Sequence, residues 1–151
     1  MSPMALLLFL TVLPVHGLIE QYVNVTGRLT CHGQPAKNVT VLLGDYDFPD
    51  ANDILAQTET DREGWYELSG QDDEIFSIQP FLAIAHSCRT HPKEILECLH
   101  IVYMNLPQSV VSLLPGVNQA KVANLELGAK RGNQKTYCGN NVSELVLRHH
   151  K

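Results

Sequence analysis

Three groups of side chains in this 151-residue chain have the makings of a chemical site. Cys31 and His32 are neighbours, a thiol beside the imidazole that would have to deprotonate it. His86-Ser87-Cys88 and Cys98-Leu99-His100 together hold two sulfurs and two imidazoles, the donor set of a tetrahedral zinc. Asp45, Asp47, Asp50 and Asp53 crowd one stretch with carboxylate oxygens, the ligands that calcium takes. Which of these chemistries survives depends on where the backbone points each side chain.

The backbone pattern is one of strands. From Tyr22 to Cys31, the residues Val23, Val25, Gly27, Leu29 and Cys31 fall on one face, and Asn24, Thr26, Arg28 and Thr30 fall on the other. Adjacent strand residues point apart, so His32 is badly placed to act on Cys31, and no catalytic residue is assigned. Gly33, Pro35 and Asn38 punctuate a turn, after which Val39, Val41 and Leu43 resume the inward face as the second arm of a hairpin. Further strands are expected around Leu55 to Thr60, at Trp65 to Leu68, at Phe81 to Cys88, at Ile95 to Met104 and at Lys121 to Leu127. A four-residue turn, Asp61-Arg62-Glu63-Gly64, precedes the Trp65 strand. Gln71 to Glu74 reads as a solvated acidic run, and Pro107 to Asn118 as a short helix or strand edge stopped by Pro115-Gly116. About seven to eight short strands with turn signals between them, and no long helix, give an all-β sandwich.

On such strands His86 shares a face with Cys88, and His100 with Cys98, so a hairpin would gather the zinc set. An oxidising compartment favours sulfur pairing over metal. The acidic stretch departs from an EF-hand, with Pro49 at a ligand position and no glycine after it, so a solvated loop competes with a calcium site at Asp45, Asp47, Asp50 and Asp53.

The compartment is read from the beginning of the chain. Residues 1–17, MSPMALLLFLTVLPVHG, have the outline of a cleaved secretory signal peptide, with Val15 and Gly17 as the small residues before the cut. The apolar run falls short of the roughly 20 residues a membrane span needs. This leaves one domain, 18–151, secreted and extracellular. Four cysteines in a secreted domain imply two disulfides, with three pairings open. Asn24-Val-Thr26, Asn38-Val-Thr40 and Asn141-Val-Ser143 are glycan acceptor triplets. A net charge of −5 argues against nucleic acid and against simple attraction to anionic lipid. Lipid contact would need calcium on the acidic loop, or a local basic patch such as Lys130, Arg131 and Lys135.

Taken in order, VNVTGRLTCHGQPAKNVTVLL, DYDFPDANDILAQTETDREGWYELSG, PFLAIAHSC and VANLEL followed by a late cysteine resemble the nematode transthyretin-like family, from about Tyr22 to Cys138. The resemblance implies a secreted, disulfide-bearing protein with the transthyretin fold, a sandwich of two four-stranded sheets. It also implies an extracellular binding, bridging or signalling role, including recognition of phosphatidylserine on dying cells and of a surface receptor. Transthyretin itself suggests an alternative, a carrier holding a small apolar ligand between subunits of an oligomer. The related hydrolase of 5-hydroxyisourate carries a terminal Tyr-Arg-Gly-Ser, whereas this chain has Tyr137-Cys138-Gly139-Asn140, so an enzyme is not expected. For the disulfides, the short step from Cys88 to Cys98 favours a hairpin bridge, which leaves Cys31 with Cys138.

Overall fold

The computed structural model describes residues 18–47, 51–88, 98–117, 119–121, 124–129 and 131–138. The signal peptide expected at 1–17, Ala123, Asp50, Lys130, Asn141, Ile95 to Glu97 and the tail after Cys138 lie outside the described residues. Among those described, the chain forms eleven strands: β1 (Ile19–Cys31), β2 (Gln34–Pro35), β3 (Thr40–Asp45), β4 (Asp53–Glu59), β5 (Trp65–Glu74), β6 (Pro80–His86), β7 (Leu99–Asn105), β8 (Val111–Ser112), β9 (Gln119–Lys121), β10 (Leu125–Glu126) and β11 (Gln134–Tyr137). They make two sheets, one of six strands built on β1 and one of five in the order β11-β7-β6-β3-β4. The all-β sandwich expected from the alternating pattern is what forms.

The period-two pattern of β1 appears directly in its burial. Val23, Val25 and Leu29 are fully or almost fully buried, while Asn24, Thr26, Arg28 and Thr30 are half-exposed. One edge of β1 pairs antiparallel with β5, from Ile19 opposite Glu74 to Arg28 opposite Trp65. Its other edge takes β8 at Tyr22 and Val23 and then β9, in parallel, from Asn24 to Thr26. Short strands tile that edge, so the sheets hold six and five strands where the resemblance implied four each. The acidic run is exposed at Gln71 and Asp73 but belongs to a strand: β5 continues unbroken to Glu74 because β1 extends back to Ile19 and supplies its partners.

The hairpin expected between β1 and β3 is replaced by a crossover. His32 and Gly33 both have positive φ, 51° and 76°, the signature of the two-residue turn that matches strand twist. That turn pairs Cys31 with Gln34 and Thr30 with Pro35. β2 ends at Pro35, and one further bond, from the Ala36 N–H to the Leu29 carbonyl at 3.0 Å, closes the turn. The chain then crosses to the second sheet, where β3 pairs with β4 and β6.

The region Pro107 to Asn118 resolves both of its readings. A 3-10 turn at Gln108–Val110 runs directly into β8. The second sheet differs from the half-buried expectation, because every residue of β6 is buried. Val41, Leu43, Leu82, Ile84 and Val102 pack toward the first sheet. Leu42, Phe81, Ala83, Ala85, Ile101 and Tyr103 form a second apolar cluster on the other side. Continuous apolar runs such as Phe81 to Ala85 belong to strands buried on both faces.

Candidate functional site

The four cysteines are joined as Cys31–Cys88 and Cys98–Cys138, which corrects the expected Cys88–Cys98 and Cys31–Cys138 pairs. The ladders explain the outcome. β6 and β7 pair up to His86 opposite His100, and β11 and β7 pair up to Tyr137 opposite Leu99. Cys98 therefore stands next to a ladder partner on either side, Cys88 or Cys138. Cys88 packs in the core between the sheets, where Cys31 reaches it from the end of β1. One bridge thus clamps sheet to sheet, and the other joins neighbouring strands of the second sheet.

These bonds remove two of the three chemical readings. Both sulfurs of the zinc set are engaged, although His86 and His100 do meet, buried, with ring centroids 5.5 Å apart. His100 Nδ1 lies 2.9 Å from Thr136 Oγ1. Cys31 is a disulfide sulfur and His32 a turn residue, so their adjacency carries no nucleophile.

A residue that the sequence did not single out organises the turn. The Glu126 carboxylate accepts hydrogen bonds from the Thr30 hydroxyl at 2.8 Å and from the backbone N–H groups of His32, Gly33 and Gly128 at 2.8, 3.0 and 2.8 Å. Desolvation works to raise its pKa, but the N–H groups of Gly33 and Gly128, the Thr30 hydroxyl and the His32 N–H together hold it down at about 2. Its only sequence signal was an outward position between inward Leu125 and Leu127. Arg131, one of the three cations considered for a basic patch, donates to the Glu126 carbonyl at 3.1 Å, and Lys135 sits 5.8 Å from the centre of the Tyr103 ring.

The acidic group is gathered at the opposite end. Asp45 closes β3, opposite Asp53 at the start of β4. Asp45, Asp47 and Glu74 bring carboxylate oxygens within 4.8 Å of one another, a donor group that includes Glu74 from the run read as solvated. Asp45 is 2% exposed and accepts a hydrogen bond from the Gln79 N–H. Burial raises its pKa to about 7 against the pull of that N–H, and the Asp47 and Glu74 charges add to the rise. Asp47 is raised to about 6 by burial and then by Asp53, Glu74 and Asp72. Such a group shares either protons or a cation, and hard oxygen donors suit calcium.

Directly after Glu74 comes an exposed apolar loop. Phe76 is 81% exposed, and Ile19, Ile75 and Leu113 are at least half exposed beside it. These side chains and Val111 border a cleft of about 390 Å³. The loop is fixed from below: buried Gln21 donates through Nε2 to the Phe76 carbonyl at 2.6 Å and accepts from the Ile78 N–H at 3.2 Å. Gln108 donates to the Ile78 carbonyl at 2.8 Å and accepts from the Ser77 hydroxyl at 2.7 Å.

Of the glycan triplets, Asn24 lies half-exposed on the outward face of β1 and Asn38 is exposed in the crossover with φ of 55°. The two therefore belong to different parts of the sandwich. Among the described residues no helix is long and apolar enough to cross a membrane.

The described residues form a disulfide-clamped sandwich with a polar turn at one end and an acidic, apolar-tipped end at the other. The chain belongs to the transthyretin-like family, whose sequence profile matches residues 26–107. It is similar to Transthyretin-like protein 2 of Caenorhabditis elegans, at 35% identity over 95 residues, which cover 59% of this chain and 62% of the relative. Transthyretin-like protein 1 of the same organism is 28% identical over 134 residues, 82% of this chain and 84% of the relative. The chain thus spans less than two thirds of the first relative and most of the second. A solved 9R-lipoxygenase from Cyanothece superimposes on 71% of this chain and 16% of its own length, with a TM-score of 0.41 and 19% identity.

Proposed function

We propose that this is a secreted, non-enzymatic recognition protein that meets an extracellular partner through the loop-bearing end of its sandwich. The observation that carries the reading is the Ile75–Phe76 loop, which presents bare apolar side chains while hydrogen bonds from Gln21 and Gln108 hold its backbone. Large apolar groups kept rigidly in water are characteristic of binding surfaces. Export through residues 1–17 fits a chain whose four cysteines are all paired. Glycans at Asn24 and Asn38 would leave the acidic end open.

The partners weighed for this reading are the two that the sequence resemblance implies, a surface receptor and phosphatidylserine. For an acidic chain the route to lipid contact that the described acidic end supports is a bridging cation. Asp45, Asp47 and Glu74 would hold calcium, with Asp53 beside them, and calcium would supply the positive charge that an anionic headgroup requires. Sedimentation with phosphatidylserine vesicles, with and without calcium, tests this branch. Calcium-dependent pelleting is expected, and no pelleting in either condition rejects it.

Hydrolase chemistry is disfavoured because Cys138, standing where the hydrolase signature has arginine, is bonded to Cys98. Absence of turnover on 5-hydroxyisourate is the expected result.

A further inference from the structure

We infer that the cleft beside Phe76 is a docking site for a protein segment that is apolar at its centre and flanked by lysine or arginine. This rests on the reading of the chain as an extracellular binding module and names the chemistry of one partner. The apolar part of the argument is the cleft itself. Ile19, Ile75, Phe76, Val111 and Leu113 come from β1, the β5–β6 loop, β8 and the residue after it, so their convergence depends on the tertiary fold. The polar side chains beneath are already engaged: Gln21 and Gln108 bond to the loop backbone, and Ser77 to Gln108. An occupant therefore gains mainly by covering apolar surface, with Phe76 as the anchor.

The charge around the cleft selects among occupants. Glu20 and Asp73 are opposite one another on the outward face of the β1–β5 ladder, and Asp72 and Glu74 lie along the other face of β5. Asp45 and Asp47 approach Glu74 from the second sheet. Asp45 is itself buried, and against the other five carboxylates the sequence has no lysine or arginine from residue 63 to 88, from 98 to 120, or from 38 to 61. Described cations such as Arg28 and Arg131 belong to the opposite end, near the turn that Glu126 holds. Glu74 and Asp72 are paired across the ladder with Ile19 and Gln21 of the cleft, so an apolar cleft at this acidic end repels an anionic bilayer and a second copy of the same end, and attracts a cationic rim. The favoured occupant is therefore a basic-flanked apolar segment of another protein.

The test uses the full disulfide-bonded chain, in chelator so that calcium plays no part. Fluorescently labelled peptides of alternating Lys and Leu, and of alternating Glu and Leu, are titrated by anisotropy beside vesicles of phosphatidylcholine with and without phosphatidylserine. The inference expects binding of the Lys–Leu peptide at least tenfold tighter than the Glu–Leu peptide. It expects a further tenfold loss in Phe76→Ser/Leu113→Ser, and weakening in Asp73→Asn/Glu20→Gln and at high salt. All four substituted side chains are surface groups, and circular dichroism of the variants checks that the fold is kept. Equal binding of both peptides, or Lys–Leu binding unchanged in Phe76→Ser/Leu113→Ser, overturns it. Vesicle binding that depends on Phe76 without peptide binding assigns the patch to a bilayer and also overturns it, as does concentration-dependent dimerisation abolished by the same substitutions. Calcium-dependent vesicle or receptor binding that survives while the peptide result fails leaves the broader function standing and removes only this inference.

Discussion

At the level of single residues, two carboxylates set opposite pH dependences. Glu126 has its pKa lowered to about 2, so the fold keeps it ionised further into acid than the unfolded chain does. Its stabilisation is whole above pH 4.5, its ordinary value, and is lost as pH falls toward 2. Glu126→Ala leaves the turn N–H groups and the Thr30 hydroxyl without their acceptor and is expected to cost about 1–3 kcal/mol near neutral pH, measured by urea unfolding. Asp45 behaves in the reverse sense. With its pKa raised to about 7, its protonated form favours the fold below its ordinary value of 3.8, and that advantage disappears as pH rises through 7. Asp45→Asn is therefore expected to stabilise the calcium-free protein at pH 8 by roughly 1–3 kcal/mol and to have little effect at pH 3. If calcium is held there, adding it reverses the order: it stabilises the native protein and not Asp45→Asn, which thermal melts with and without the ion would report.

Among the elements, the alternating stretches were readable because a half-buried strand must alternate, and β1 does so from Gln21 to Thr30. The Asp61 to Gly64 turn was readable for a comparable reason. Asp61 Oδ1 accepts from the N–H groups of Glu63 and Trp65 at 2.9 and 2.8 Å, and Gly64 takes φ of 82°, where side chains are disfavoured. A Cβ at Gly64 would come within 2.4 Å of the Leu29 carbonyl oxygen, so Gly64→Ala is expected to cost about 1–3 kcal/mol in the same unfolding assay. What escaped the sequence were features fixed by long-range partners. β5 looked finished at Leu68 because Gln71 to Glu74 is polar, yet β1 extends it. β11, Gln-Lys-Thr-Tyr, has no apolar alternation and exists because β7 offers it an edge. Disulfide pairing was likewise a matter of register, since Cys98 adjoins two ladders at once. In the chain-entropy account, bridging cysteines 57 residues apart is worth about 4 kcal/mol. Cys31→Ala/Cys88→Ala should thus lower stability by about 2–5 kcal/mol, and peptide mapping of the native chain should recover Cys31 linked to Cys88.

Over the whole molecule, the sandwich separates its duties between its two ends. The end near Glu126 is closed by charge-assisted hydrogen bonds and engages its neighbouring arginine. The other end collects carboxylates and exposes Phe76. Little of this second end was evident from sequence beyond Asp45, Asp47 and Asp53, because Glu74 and the cleft residues come from separated segments that only the two sheets bring together. Since the central claim is recognition at that end, the most direct measurement is a cross-linking pull-down of cell-surface partners with the purified disulfide-bonded protein, compared with Phe76→Ser/Leu113→Ser. The account predicts a defined surface partner recovered by the native protein and lost with the variant. Recovery of that partner undiminished by the variant, or no surface partner at all for a correctly folded chain, would contradict it.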